Sequence, residues 1–236
     1  MKTVIVVGNG PSLNHTPLEA LKAAGHTMVG VNRIHLIYPE TAWRPNYWFF
    51  MDFSNSSVPV YKQDIELHSQ QGYPCYVRSD IVSKFIEKYV GDQAAAAGTS
   101  WNINAVLQNI KVVEQCNHID SERNTTNEWH LPGICKQGGS VSGAIQHAVL
   151  EGYNPLYLIG CDGNMRGNAE NHFIKGYIDP DGLTEPRARV ANATLQLAHE
   201  IASRECRARG IKIFNATVGG SHISGIPECD FSSLFA

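Results

Sequence analysis

Gly8-Asn9-Gly10-Pro11-Ser12 directly follows the apolar run Val4-Ile5-Val6-Val7. The two glycines let the backbone turn sharply and come close to a ligand. A helix after such a turn aims amide N–H groups and the positive end of its dipole at the same space, which suits a phosphate. Ser12 adds a hydroxyl donor. Lys136-Gln137-Gly138-Gly139-Ser140-Val141-Ser142-Gly143 repeats the arrangement before a second helical pattern, with Ser140 or Ser142 as candidate N-cap. Either bend alone is compatible with a plain strand-to-helix turn or a capped helix. Two in one chain point to an anion site.

The other chemistry-bearing residues stand just after apolar runs. Asn32, Asp52, Asp162 (in Gly160-Cys161-Asp162) and Asn215 each occupy such a position. Ten residues beyond Asp162 is His172, a candidate general base because an unperturbed imidazole titrates near neutral pH. Asn215 and Thr217 suit a base or a sugar, and equally an Asx-type turn. Asp179-Pro180-Asp181-Gly182 has an Asp-x-Asp spacing, but Pro-Asp-Gly reads as a turn.

Several motifs are incomplete or missing. Leu13 stands where the third glycine of a dinucleotide fingerprint belongs, and Asn32 replaces the acidic residue that grips a ribose. A dinucleotide is therefore disfavoured, and a mononucleotide phosphate stays open. There is no P-loop, no G-x-S-x-G and no H-E-x-x-H. No cysteine has a neighbourhood that favours a thiolate.

These residues need a scaffold that gathers them. Strands are expected at residues 3–7, 27–31, 47–51, 76–77, 110–113, 155–159 and 211–214, most of them short, apolar and β-branched. Thr16 as N-cap, Pro17 at N1 and Glu19 at N3 predict a helix ending at Gly25. Further helices are expected at 80–89, at 140–151, and at 187–209 with Val190, Ala191, Leu195, Ala198 and Ile201 on one face. Residues 91–104 are compatible with loop or helix. The fold class is α/β, a Rossmann-like, mostly parallel sheet with helices on both faces, in one domain with a lid or insertion. In such sheets ligands sit beyond the carboxyl ends of the strands, at a switch in strand order. That rule would place Asn9, Asn32, Asp52, Asp162 and Asn215 around one site.

The composition fits this picture. The chain has 236 residues, 43% hydrophobic and 17% charged, the values of one globular domain rather than a disordered chain. A net charge of −3 gives no electrostatic footprint for nucleic acid. The first apolar run is too short for a secretion signal, and no stretch reaches transmembrane length. Six scattered cysteines without zinc spacing predict reduced thiols and a cytoplasmic location.

Val-Val-Gly-Asn-Gly-Pro-Ser-Leu at 6–13 resembles the opening of bacterial sialyltransferases that cap lipooligosaccharides. Gly-Gly-Ser before a helix, followed by Leu-Ile-Gly-Cys-Asp, is similar to motility-associated-factor glycosyltransferases, which attach nonulosonic acids to flagellin. The same core resembles 6-hydroxymethylpterin pyrophosphokinases, and Asn215-Ala216-Thr217 with Gly219-Gly220 looks like a shared ending of the last two groups. The resemblance covers residues 1–35 and 133–177.

It implies donor contacts from Asn9, Ser12 and Asn32; the bends and strand ends extend the candidate donor-binding set to Gly8, Gly10, Asp52, Gly138, Gly139, Ser140, Asp162 and Asn215, with His172 and Asp162 as the candidate catalytic residues. Tyr177 is the nearest counterpart of the tyrosines that hold the donor phosphate. Asp52 stands where those enzymes carry a donor-contacting asparagine, and His172 lies closer to the Gly-x-Asp strand end than their base does.

The expected activity is transfer of a sialic or related nonulosonic acid from a CMP-activated donor to a hydroxyl of a glycan or other acceptor, with no obligatory cofactor. The alternatives are an ATP- and Mg-dependent pterin pyrophosphokinase with Asp52 and Asp162 as metal ligands, and a non-catalytic nucleotide-binding domain. Residues 117–130 and 163–185 are candidate lids or interfaces, and a homo-oligomer is compatible with the chain.

Overall fold

The computed structural model describes residues 2–51, 67–68, 71–79, 82, 110–114, 116, 128–135, 138–167, 170–177 and 183–235. Strands β1 (Val4–Val7), β2 (Thr27–Val31), β3 (Tyr47–Phe50), β4 (Cys75–Arg78), β5 (Ile110–Val113), β6 (Leu156–Ile159) and β7 (Ile213–Asn215) form one sheet. Its order is β5-β4-β3-β2-β1-β6-β7, and every pairing is parallel. Order runs outward from β1 in one direction through β2 to β5, then resumes on its other side with β6 and β7. The switch point is therefore the seam between β1 and β6, where Val7 is in register with Ile159.

The sheet is covered on both faces because its strands are apolar on both. Ile5, Val7, Trp48 and Phe50 pack on one side with Leu18 and Leu21 of α1 (Leu18–Ala23). Val4, Val6 and Phe49 pack on the other with Ala144 and Ile145 of α2 (Ser140–Leu150) and Ile201 and Ala202 of α3 (Glu185–Ala208). Each fully buried aliphatic side chain of this kind contributes about 1.5–3 kcal/mol, so the two clusters hold the seam from above and below.

Several elements differ from expectation. A 3-10 turn at Pro11–His15 precedes α1, and Pro17 rather than Thr16 occupies its N-cap. The Thr16 hydroxyl instead donates back to the Ser12 carbonyl at 3.0 Å, a local bond that competes with capping. Gly139, not Ser140 or Ser142, caps α2, and Ser140 is its first residue. On α3 the buried stripe runs through Ala188, Ala198, His199, Ala202 and Cys206, and Val190 is 68% exposed. The final strand starts at Ile213 rather than 211. Apart from residue 82, the helix expected at 80–89 lies outside the described residues, as do 91–104, 117–127 and 179–182. The six cysteines are free thiols. No helix among the described residues is long and apolar enough to cross a membrane.

Candidate functional site

A cavity of about 690 Å³ opens beyond the carboxyl ends of β1, β2 and β6, at the switch point. Both glycine bends line it, together with Asn32, Asp162, His172 and Tyr177.

The first bend is closed by the protein itself. Gly8 N–H donates to the Ile159 carbonyl and Gly10 N–H to the Gly160 carbonyl, each at 2.8 Å. Ser12 gives its N–H to Asp162 Oδ1 at 3.2 Å and its hydroxyl to Oδ2 at 2.8 Å. A Cβ on Gly10 would lie 1.8 Å from Asp162 Oδ2, so only glycine lets the bend reach the carboxylate. The anion held by the Ser12 amide is thus Asp162, not a bound phosphate. Both bends line the cavity, and the Ser12 amide and hydroxyl of this one are engaged by the Asp162 carboxyl group.

The second bend is different. Gly138 (φ +61°) is pressed against α3, where a Cβ would meet that of Ala198 at 2.4 Å. Gly139 caps α2 with no side-chain hydrogen bond. The first amides of a helix have no partner within it, and here Gly139, Ser140 and Val141 face the cavity wall. The Ser140 hydroxyl oxygen accepts the Met51 N–H at 3.0 Å, tying the end of β3 to the start of α2.

Asn9 and Asn32 are both at the cavity with acceptor atoms to spare. Asn9 Nδ2 donates to the Val31 carbonyl at 3.0 Å, which fixes Oδ1 as the other atom; that oxygen is buried without a partner. Asn32 Oδ1 is likewise buried, and neither oxygen has a partner among the described residues. Its backbone is left-handed, with φ +48°, a conformation that Asn tolerates better than most residues. The Asn32 carbonyl accepts Trp48 Nε1–H at 2.5 Å.

His172 stacks on Tyr177 with ring centroids 3.9 Å apart and planes 5° from parallel. Burial, reinforced by the nearby Arg33 cation, pushes its pKa down to about 4. The ring is thus neutral across physiological pH rather than titrating near neutral. Arg33 also anchors this segment: its N–H donates to Tyr177 Oη at 3.1 Å and its guanidinium to the Tyr177 carbonyl. Phe173 N–H donates to the Asn9 carbonyl at 3.0 Å, and Asn14 Nδ2 to the Phe173 carbonyl at 2.8 Å. His172 is therefore held against the first bend.

The opposite wall is clasped to α3. Met165 and Asn192 exchange two hydrogen bonds of 2.8 Å, and Arg166 N–H and carbonyl pair with the Asn171 amide at 2.7 and 2.8 Å. Asn215 does not line the cavity; its Oδ1 accepts the Thr217 N–H at 3.1 Å in an Asx turn. Thr217 Oγ1 in turn accepts the Cys161 N–H at 3.1 Å, so the pair supports the wall rather than forming it. Burial and the Asp162 carboxylate push Cys161 up to about 12, which makes it an inert thiol.

Asp52 lies outside the described residues. Among the described residues no group of three or more His, Cys, Asp or Glu is placed to hold a metal ion, and both oxygens of Asp162 are bonded to Ser12. Arg33 and His199 were missed by the sequence reading. Arg33 adjoins the strand-end Asn32, a position that marks it in retrospect. His199, on the buried face of α3, carries no local signal.

No protein-family model matches the chain, and no curated protein matches it. Among solved structures, it is similar to a MAf glycosyltransferase from Magnetospirillum magneticum AMB-1, with a TM-score of 0.54 and 17% identity over 97% of this chain. The likeness supports the Rossmann-like α/β fold. This chain spans 33% of the length of that protein.

Proposed function

We propose that this chain is a glycosyltransferase that moves a sialic or related nonulosonic acid from a CMP-activated donor to an acceptor hydroxyl. The observation that carries the reading is the start of α2, capped by Gly139 without a side-chain hydrogen bond, at the same cavity as Asn9, Asn32 and His172. The helix terminus suits the donor phosphate. The free oxygens of Asn9 and Asn32 suit amine and hydroxyl donors of a nucleoside. The fold shared with a MAf glycosyltransferase adds support.

In this reading the acceptor oxygen forms a bond to the anomeric carbon as the bond from that carbon to the phosphate oxygen breaks. The acceptor proton passes to the neutral His172 ring, and CMP leaves with the electron pair. Amides of α2 and the Tyr177 hydroxyl stabilise the charge that develops on the leaving phosphate. Burial sets most of the depression of His172 and the Arg33 cation adds to it; an anionic donor near Arg33 offsets that second contribution when it is bound. Asp162 serves as a strut for the first bend.

The reading is tested by calorimetry with CMP, UMP, AMP and ATP with Mg²⁺, followed by a transfer assay with CMP-sialic acid and a lactose acceptor. CMP-selective binding without added metal is expected. Selective binding of ATP with Mg²⁺ and no CMP binding would overturn it.

A further inference from the structure

His199 lies on α3 one residue beyond Ala198, the side chain against which Gly138 is pressed. It is only 4% exposed, yet it forms part of the cavity wall. Its Nδ1 is 2.6 Å from the Leu195 carbonyl, one helical turn back. A carbonyl can only accept, so Nδ1 carries the proton and Nε2 presents a lone pair. Nε2 is buried and has no hydrogen-bond partner among the described residues. Burial also pushes the His199 pKa down, which keeps the ring neutral and Nε2 an acceptor.

A buried acceptor left unpaired lowers stability and persists where something else requires it. Asn9 and Asn32, which line the same cavity, each carry an Oδ1 in the same condition. All three orphaned atoms are acceptors as assigned. The matching ligand carries N–H and O–H donors, as an amino-substituted nucleobase and ribose do.

We propose that His199 is a ligand-binding residue whose Nε2 accepts a hydrogen bond from an amine or hydroxyl of the nucleotide seated at the start of α2. The proposal rests on the nucleotide reading above and adds a contact from the α3 side. An orphaned nitrogen alone does not mark a ligand contact, since both nitrogens of His68 are orphaned away from the cavity; His199 differs in lining the cavity beside the start of α2. At His199 an apolar ring of similar size removes the orphaned atom and leaves the cavity wall filled.

The test uses the full chain, CMP as probe and the variant His199→Phe. The ligand-free thermal midpoint of the variant should equal or exceed that of the wild type, while CMP affinity falls about 5- to 10-fold, the loss of one ordinary hydrogen bond. Nitrogen-15 spectra of the wild-type histidines decide the matter independently of the variant's folding. CMP should move the Nε2 resonance of His199 toward the value of a hydrogen-bonded lone pair. A resonance that CMP leaves in place, or a variant with unchanged CMP affinity, overturns the proposal. If CMP does not bind but UMP or AMP does, the CMP reading fails and the same comparison, run with that nucleotide, supports or overturns His199. If no nucleotide binds, both fall.

Discussion

Ser12 and Asp162 are 150 positions apart in the chain and are joined by two hydrogen bonds, one from the Ser12 amide and one from its hydroxyl. The pair links the loop after β1 to the loop after β6 across the switch point. Hydrogen bonds to a charged group contribute about 1.5–3 kcal/mol each. Asp162→Ala should therefore destabilise the protein by about 2–3 kcal/mol in urea unfolding, and Asp162→Asn by less, because one amide oxygen can still accept. Gly10→Ala should cost a comparable amount through its clash with the carboxylate. A Gly10→Ala variant as stable as wild type would contradict the close approach.

Asn32 separates backbone from side-chain effects. Its left-handed φ should make Asn32→Gly tolerated within about 0.5 kcal/mol, and Asn32→Ala costly by about 1 kcal/mol. Both variants lack the free Oδ1, so both should bind CMP more weakly by a similar factor. The check is unfolding and calorimetry on the same two proteins; full affinity in either would remove Asn32 from the ligand contacts.

The pH dependence of transfer should report the depressed His172. The neutral ring is the active form, so activity is lost as pH falls through the pKa. The acidic limb of kcat/KM, which reflects the free enzyme, should lie near pH 4 rather than near 6.5. Arg33→Gln removes a charge that lowers this pKa, so the limb should move up. His172→Ala should lower kcat by a factor of at least about 100. An acidic limb that stays put in Arg33→Gln would refute the electrostatic link.

Stability should also fall in mild acid. His68 stacks face to face on Trp48 at 4.4 Å, and burial pushes its pKa down to about 3; burial takes His35 and His147 to about 4. Folded-state values below the unfolded one mean that the unfolded chain takes up protons first. The stability these neutral rings permit is complete above about pH 6.5 and is lost progressively as pH falls toward 4 and 3. Both nitrogens of His68 are buried and have no partner among the described residues. His68→Phe should raise the thermal midpoint more at pH 5 than at pH 7.5. Equal shifts at the two pH values would show that protonation of His68 plays no part.

The strands were legible because a parallel sheet buried on both faces leaves continuous apolar runs such as Val4–Val7, and the strand-end rule then located Asn9, Asn32 and Asp162 at one site. Long-range chemistry was not legible. Nothing near Ser12 signals that Asp162 will occupy its amide. The His172 pKa depends on burial in the folded protein and on Arg33, which is distant in sequence. Thr16 and Ser140 match capping patterns, but their hydroxyls bond elsewhere. His199 was lost because a polar residue within an apolar helical stripe looks like an interruption of the core, and only its orphaned nitrogen together with its place in the cavity wall marks it.

The β1–β6 seam has a consequence for biosynthesis. Gly8 to Ser12 are made before the carboxylate that shapes them, the ring that stacks on Tyr177 and the α3 wall. A nascent chain can therefore have most of its sheet while the cavity still lacks the wall that α3 supplies.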